Sequence, residues 1–347
     1  MKIGLATVQV PFMHGGAEMH VHGLLQYLRG KDYQAEIITI PFKWYPPDSL
    51  SNQMEASRLI DVSEVNGKPL DLLITFKFPA YYLRHPNKNL WLLHQHRQAY
   101  DFFNTSNGDL HLCKRGRKVA SKIKEWDDLY IPDHKHIFTN SQNVANRLSK
   151  YNNIDGSPLY PPPLNAERFQ FKSIENFILA PGRLDKLKRQ DLIIKAMAYS
   201  SKSLKLILIG SDKSEYGEYC KRLVEEYDLS SRVCFLGFVD TTQKIDLYSR
   251  ALAIYNGVFD EDLGYLTIEA FLSGKPVITH HDSGGPLEFV EESVNGFVTK
   301  PDELAIADKV NYLVNNHNNA KEMGFAGKDL IKSKNISWEN VIERLIN

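Results

Sequence analysis

Cysteine is scarce in this 347-residue chain: there are three, Cys113, Cys220 and Cys234, at wide spacings that form no metal-ligand pattern. An odd, scattered set excludes a disulfide framework and points to a reducing, cytoplasmic setting. An excess of either charge is also lacking, since 42 Lys and Arg balance 42 Asp and Glu. A balanced chain is not expected to be a dedicated nucleic-acid binder. No apolar run approaches the roughly 18 residues needed to span a bilayer. The opening Lys2–Ala6 reads as a first strand, so no secretory signal is expected. Internal repeats and low-complexity segments are missing as well. What remains is ordinary for a globular protein, 43% hydrophobic and 24% charged residues, and long enough for two domains of roughly 150–180 residues.

The chain alternates apolar strand patterns with amphipathic helix patterns, which predicts an α/β protein with doubly wound parallel sheets. Met1–Val10 is the first strand, followed by a Gly15–Gly16 loop. A helix follows with Val21, Leu24, Leu25 and Leu28 on one face. Strand, glycine loop and helix start make a place where backbone N–H groups can meet an anion, although mere turn geometry explains a lone Gly-Gly pair equally well. Asp71–Phe76 and Asn89–Leu93 read as further strands. The second runs directly into His94, His96 and Arg97, polar residues at the end of a strand, where open α/β sheets bind ligands. Two histidines without a third ligand do not make a metal site, and solvent-facing histidines are the plain alternative. Residues 114–124, KRGRKVASKIK, hold six basic residues and no acid. Such a run is by default a solvated helix face; contact with an anionic lipid or membrane surface is the alternative. Tyr160–Pro163 stiffens the chain and marks the start of an interdomain linker.

In the second half, the strand Asn176–Ala180 leads to Arg183 and Lys188 ahead of another helix. Arg offers planar, bidentate contact to phosphate and Lys a mobile point charge, yet a basic pair in a loop is as readily a surface feature. The segment 255–285, YNGVFDEDLGYLTIEAFLSGKPVITHHDSGG, is the most informative. A helix starting near Tyr265 leaves its first N–H groups free beside Gly264, where no side chain blocks approach. That is an anion site. Glu269 lies about one turn inside, suited to accepting hydrogen bonds from neutral hydroxyls rather than facing a phosphate.

Glu261 and Glu269 as Glu-x7-Glu around Gly264, then EAFLSGKPVIT and GGPLEFV, resemble the donor-site signature of the retaining GT-B glycosyltransferases of family 4. Gly-Arg-Leu…Lys at Arg183 and Lys188, and GGAE at Gly15–Glu18, are similar to two other motifs of that family, so the resemblance covers essentially the whole chain. It implies two Rossmann-like domains facing across a cleft, an acceptor-side domain over residues 1–163 and a donor-binding domain over 164–335. The last helix, about 336–347, is expected to pack back on the first domain. It implies a retaining, metal-independent hexosyltransferase with no cofactor. The enzyme would move a sugar from a nucleotide-diphosphate donor to a glycan or lipid-linked acceptor in polysaccharide or lipopolysaccharide-type assembly. Arg183 and Lys188 would clamp the diphosphate, Glu261 hold sugar hydroxyls and Glu269 the ribose. Gly15, Gly16, Gly264, Tyr265, Leu266 and Thr267 would line the donor site, with Phe238 and Val239 near the base. Either His94, which sits at the strand end, or His96 would approach the acceptor or transferred sugar, and Arg97, Lys114 and Arg115 are further acceptor candidates. Peripheral attachment to the inner face of a membrane is a further expectation. The chain departs from the family at Asp262, where Gly is common, and at Tyr255–Val258, where Pro-Ser is common. Competing readings are a GT-B epimerase of nucleotide sugars and a catalytically silent, sugar-nucleotide-binding partner subunit.

Overall fold

The computed structural model describes residues 1–12 and 15–346; Met13, His14 and Asn347 lie outside the described residues. The chain divides into two compact units, Met1–Leu164 with Ile336–Asn347, and Asn165–Asn335.

The first unit contains strands β1 (Lys2–Gln9), β2 (Gln34–Pro41), a small hairpin of β3 (Glu64–Val65) and β4 (Lys68–Pro69), then β5 (Leu72–Lys77), β6 (Lys88–His94), β7 (Ile137–Thr139) and β8 (Ser157–Pro158). Its helices are α1 (Gly16–Gly30), α2 (Pro47–Leu59), α3 (Gly116–Tyr130) and α4 (Gln142–Asn152). The six-stranded sheet runs β2-β1-β5-β6-β7-β8, all parallel. Side chains on β6 alternate between faces as the pleat requires. Trp91 and Leu93 join Leu24 and Leu28 of α1 on one side. Leu90 and Leu92 join Met54 of α2, Ile123 of α3 and Leu148 of α4 on the other. Both faces are thus covered, which is why the strands read as continuous apolar runs. Ser141 caps α4, its hydroxyl accepting from the Val144 N–H at 3.0 Å. The closing helix, Trp338–Ile346, belongs to this unit: its Val341 and Leu345 are fully buried, and Trp338 fills the space left by Gly23, where a Cβ would lie 2.6 Å from the indole. The helix α2 has no counterpart in the sequence expectations, because its polar sequence buries only Leu50, Met54 and Ser57.

One buried carboxylate organises the space between α3 and the loops before it. Asp127 accepts hydrogen bonds from the hydroxyls of Tyr81 (2.8 Å), Tyr82 (2.6 Å) and Tyr100 (2.7 Å). Burial outweighs these bonds and raises its pKa from 3.8 to about 6. The folded state therefore holds the proton more tightly than the unfolded chain does. The contribution of this group is full below the unfolded pKa and is lost as pH rises through about 6. A shift of this size corresponds to at most about 3 kcal/mol. Asp127→Asn is expected to gain in melting temperature relative to wild type as pH rises from about 4 to about 7. A difference between the two proteins that is constant with pH would overturn this account.

The second unit contains β9 (Phe177–Pro181), β10 (Lys205–Ile209), β11 (Val233–Phe235), β12 (Ala253–Tyr255), β13 (Val277–His280) and β14 (Gly296–Thr299). With them come α5 (Gln190–Ala196), α6 (Glu215–Glu226), α7 (Thr241–Arg250), α8 (Tyr265–Leu272), α9 (Glu303–Asn315) and α10 (His317–Ser333). The parallel strands run in the order β11-β10-β9-β12-β13-β14. Strand order reverses between β9 and β12. In open α/β sheets, ligands bind beyond the carboxyl ends of strands at such a switch point. The loops after β9 and β12 carry Arg183–Lys188 and Glu261–Gly264. Among the described residues no helix is long and apolar enough to cross a membrane.

Candidate functional site

Two loops of the second unit meet at the switch point and are bonded to each other. The Phe259 N–H donates to the Leu187 carbonyl at 2.8 Å. Lys188 Nζ reaches Glu261 Oε1 at 2.6 Å, so two residues that the sequence nominates separately, 73 positions apart, form one ion pair. Both side chains are about three-quarters buried. Arg183, by contrast, is largely exposed, with Nε 3.5 Å from Asp185 Oδ2. Asp185 also accepts from the Leu187 N–H at 2.9 Å, which shapes the turn that presents Lys188.

A third loop presses the Glu261 segment from the other side. The Asp260 and Glu261 N–H groups donate to the carbonyls of Asp282 and Ser283, and the Gly285 N–H donates back to Glu261. Gly264 stands at φ +82°, and a Cβ there would lie 2.8 Å from Pro286; only glycine fits both conditions. Helix α8 begins at Tyr265, as expected. Thr267 is fully buried and accepts a hydrogen bond from the Asn256 amide at 3.1 Å. Its hydroxyl therefore braces the helix start, while Tyr265 and Leu266 are partly exposed.

Glu269 is 6% exposed. One oxygen, Oε1, accepts from Lys244 Nζ at 2.6 Å. The other, Oε2, is buried. The Tyr248 hydroxyl faces the same carboxylate; burial, then the Glu269 charge and a side-chain hydrogen bond to it, hold its pKa well above the ordinary range.

Glycines bring the loops after β9, β10 and β11 together. Gly182, Gly210 and Gly237, after β9, β10 and β11, all have positive φ. The Gly210 N–H donates to the Gly237 carbonyl at 2.7 Å, and a Cβ on Gly210 would lie 2.4 Å from Gly182. Phe238 stands out from this junction, 88% exposed, beside the half-buried Val239.

Two residues of the site escaped sequence reasoning. Arg189 makes a bidentate pair with Asp282 (2.9 and 2.7 Å) and donates to the carbonyls of Gly257 (2.6 Å) and Val258 (2.8 Å). Burial opposes ionisation of Asp282, but Arg189 holds its pKa below the usual carboxylate range. Lys244 is the other. A basic residue following Lys188, and one on the helix before the Glu motif, were the available signals; neither reveals a partner far away in sequence.

In the first unit, Gly15 precedes α1 and its N–H is taken by Glu18 Oε2 at 2.8 Å, so a carboxylate already sits at this helix start. A Cβ on Gly16 would meet open space. His94 ends β6, its Nδ1 donating to the Gln95 carbonyl at 2.6 Å. His96 packs against Phe78 and Phe42, and burial lowers its pKa to about 3. Arg97 pairs with Asp101 at 2.8 Å and lies over the Phe102 ring. In the basic run, Lys114 is exposed, while Arg115 and Lys122 pair with Asp48 and Glu55 of α2. That part of the run joins α3 to α2.

Residues 164–330 match the family model described as "Glycosyl transferases group 1". The chain is 26% identical over 259 residues to the human alpha-1,3/1,6-mannosyltransferase ALG2, a match covering 65% of this chain and 62% of that protein. It is 31% identical over 147 residues to the O-antigen chain mannosyltransferase RfbU of Salmonella typhimurium, covering 42% and 41%. The chain thus spans less than two thirds of the length of these curated relatives. Among solved structures, Anabaena Alr3699/HepE, determined in complex with UDP and glucose, superposes with a TM-score of 0.70 at 18% identity, covering 99% of this chain and 98% of that one. The two parallel-sheet α/β domains are those of the GT-B fold.

Proposed function

We propose, from the match of residues 164–330 to the glycosyl transferases group 1 model, that the protein is a glycosyltransferase of glycan assembly that moves a sugar from a nucleotide-diphosphate donor to an acceptor hydroxyl, with retention and without a metal. The observation that carries this reading is Glu269: a carboxylate only 6% exposed, with one oxygen held by Lys244 and the Tyr248 hydroxyl facing it. Such a group fits a ligand that brings hydroxyls, and the ribose of a nucleotide brings two vicinal ones. The α8 N-terminus, Lys188 and Arg183 offer positive charge for a leaving diphosphate. These side chains supply charge stabilisation that a metal ion would otherwise provide. Glu261, paired with Lys188, is assigned the sugar hydroxyls, and His94 the orienting of the acceptor hydroxyl. The UDP and glucose of Alr3699/HepE, and the mannosyl transfer named for ALG2 and RfbU, support the class of substrate.

The test is a panel of UDP-, GDP-, ADP- and dTDP-sugars with EDTA present, scored by thermal stabilisation and by slow nucleotide release. One donor is expected to stabilise the protein and release its nucleotide. Glu269→Gln removes a charged acceptor, worth about 1.5–3 kcal/mol per hydrogen bond, so donor affinity is expected to fall about 10- to 150-fold. Binding without release would instead support a silent partner subunit. No stabilisation by any donor would overturn the reading.

A further inference from the structure

A cavity of about 610 Å³ opens in the first unit. It lies beyond the carboxyl ends of β1 and β2, lined by Val10 and Pro11 after the first strand and by Phe42, Trp44 and Tyr45 after the second. This is the sheet end at which α/β units bind ligands, and its volume is that of an ordinary ligand site. Trp44 and Tyr45 are 38% and 59% exposed, an unusual display for two large aromatics side by side. Their rings stand at 81° with centroids 5.4 Å apart. Phe42 continues the aromatic surface toward His96, 6.4 Å away between ring centroids.

The loop that shows these rings is fixed from behind. Gln53 of α2 accepts from the Lys43 N–H at 2.9 Å, donates to the Lys43 carbonyl, and donates to the Ser49 carbonyl at 2.9 Å. The Phe42 N–H donates to the Gln9 carbonyl at 2.9 Å, tying the loop to the end of β1. A side-chain amide that satisfies three backbone groups holds the aromatics in place before any ligand arrives, which lowers the ordering cost of binding. Polar groups stand at the rim of the same cavity: Asn52 with an exposed amide, and the Lys43 ammonium, 5.1 Å from the Tyr45 ring centroid.

We propose that this cavity is a saccharide subsite, in which Trp44 and Tyr45 receive the C–H face of a sugar ring of the acceptor glycan and Asn52 and Lys43 bind its hydroxyls. This rests on the transferase reading for the word acceptor, although binding of a glycan there stands by itself. The pairing of apolar ring faces with polar rim groups favours a sugar over an acyl chain. A sugar satisfies both, whereas an alkyl chain would cover the amide and ammonium without replacing their water hydrogen bonds. The aromatic faces, negative in their quadrupole, also suit the polarised C–H groups of a pyranose.

The probes are octyl α-glycosides of glucose, mannose and N-acetylglucosamine and an α-linked mannotriose, followed by tryptophan emission. At least one is expected to change the emission of the wild-type protein. Trp44→Ala is expected to abolish the change, and both Trp44→Ala and Tyr45→Ser to weaken binding, measured calorimetrically, at least tenfold. Both side chains are substantially exposed, so the melting temperatures are expected to stay close to wild type, and stabilisation by nucleotide sugars is expected to persist. If nucleotide sugars fail to stabilise the wild type while glycans bind through Trp44, the donor reading falls and the subsite stands. If no glycan binds, or binding is unchanged in both variants, the subsite is overturned. Loss of binding to phosphatidylcholine–phosphatidylglycerol vesicles in these variants, with glycan binding intact, would overturn it in favour of a membrane contact.

Discussion

Lys188→Ala is expected to lower the rate of sugar transfer by about 10²–10³, or roughly 2.7–4 kcal/mol of transition-state stabilisation, the scale found for removing one preorganised electrostatic donor. Its effect on the melting temperature is expected to be small. The Lys188–Glu261 pair is about a quarter exposed on each side, and partly solvated pairs of this kind contribute about 1 kcal/mol or less. The separation of the two readouts is the point of the experiment. Glu261 holds the ammonium at 2.6 Å, so in the proposed role the charge is placed in advance and little reorganisation would be needed to meet a diphosphate. Initial rates with saturating donor, together with calorimetric unfolding, decide the matter. A variant that loses stability in proportion to activity would show that Lys188 is a structural residue whose charge plays no part in transfer.

Arg189→Ala should have the opposite profile, a large loss of stability with a rise in donor KM. The guanidinium bonds to Asp282 twice and to two carbonyls of the segment 257–258 that leads to Glu261. Removing it leaves a partly buried carboxylate without its partner, for which about 3 kcal/mol is expected, the low end of the range because Asp282 is one-third exposed. Arg189 also sits at φ +52°, a conformation that costs a residue with a Cβ roughly 1–2 kcal/mol. Arg189→Gly therefore loses the same side-chain bonds but regains part of the backbone strain. It is expected to be more stable than Arg189→Ala by about 1 kcal/mol. Arg189→Lys is not expected to rescue either readout, because an ammonium has no planar fork. Unchanged melting and donor KM in Arg189→Ala would dispose of this bracing role for Arg189.

These two residues also mark where the sequence stops being legible. The helix at Tyr265, Gly264 before it and Glu269 within it can be read locally, since backbone geometry, periodicity and a missing side chain all act within one turn. Strand faces are legible for the same reason: Trp91 and Leu93 against Leu90 and Leu92 follow from a period of two. The pairings of Lys188 with Glu261 and of Arg189 with Asp282 span 73 and 93 residues, and depend on which strands become neighbours at the switch point. No spacing rule carries that information. Helix α2 was hidden because three buried residues in thirteen give a weak pattern. The run at 114–124 looked like one feature because its bases are contiguous, yet Arg115 and Lys122 are spoken for by acids on α2 that lie 67 residues earlier.

The closing helix has a consequence for the order in which the molecule is made. Val341 and Leu345 belong to the same core as Ile3, Leu5 and Leu24, so the hydrophobic interior begun by β1 is finished by a helix that follows the whole second unit in sequence. Residues 165–335 hold their entire core within one continuous segment and can assemble as soon as they clear the ribosome. On a growing chain the first unit must wait, its α1 surface around Gly23 and Tyr27 bare of Trp338 and Glu339. That surface is therefore covered only after residues 165–335 have been made and the closing helix has followed them, rather than on emergence of the early strands.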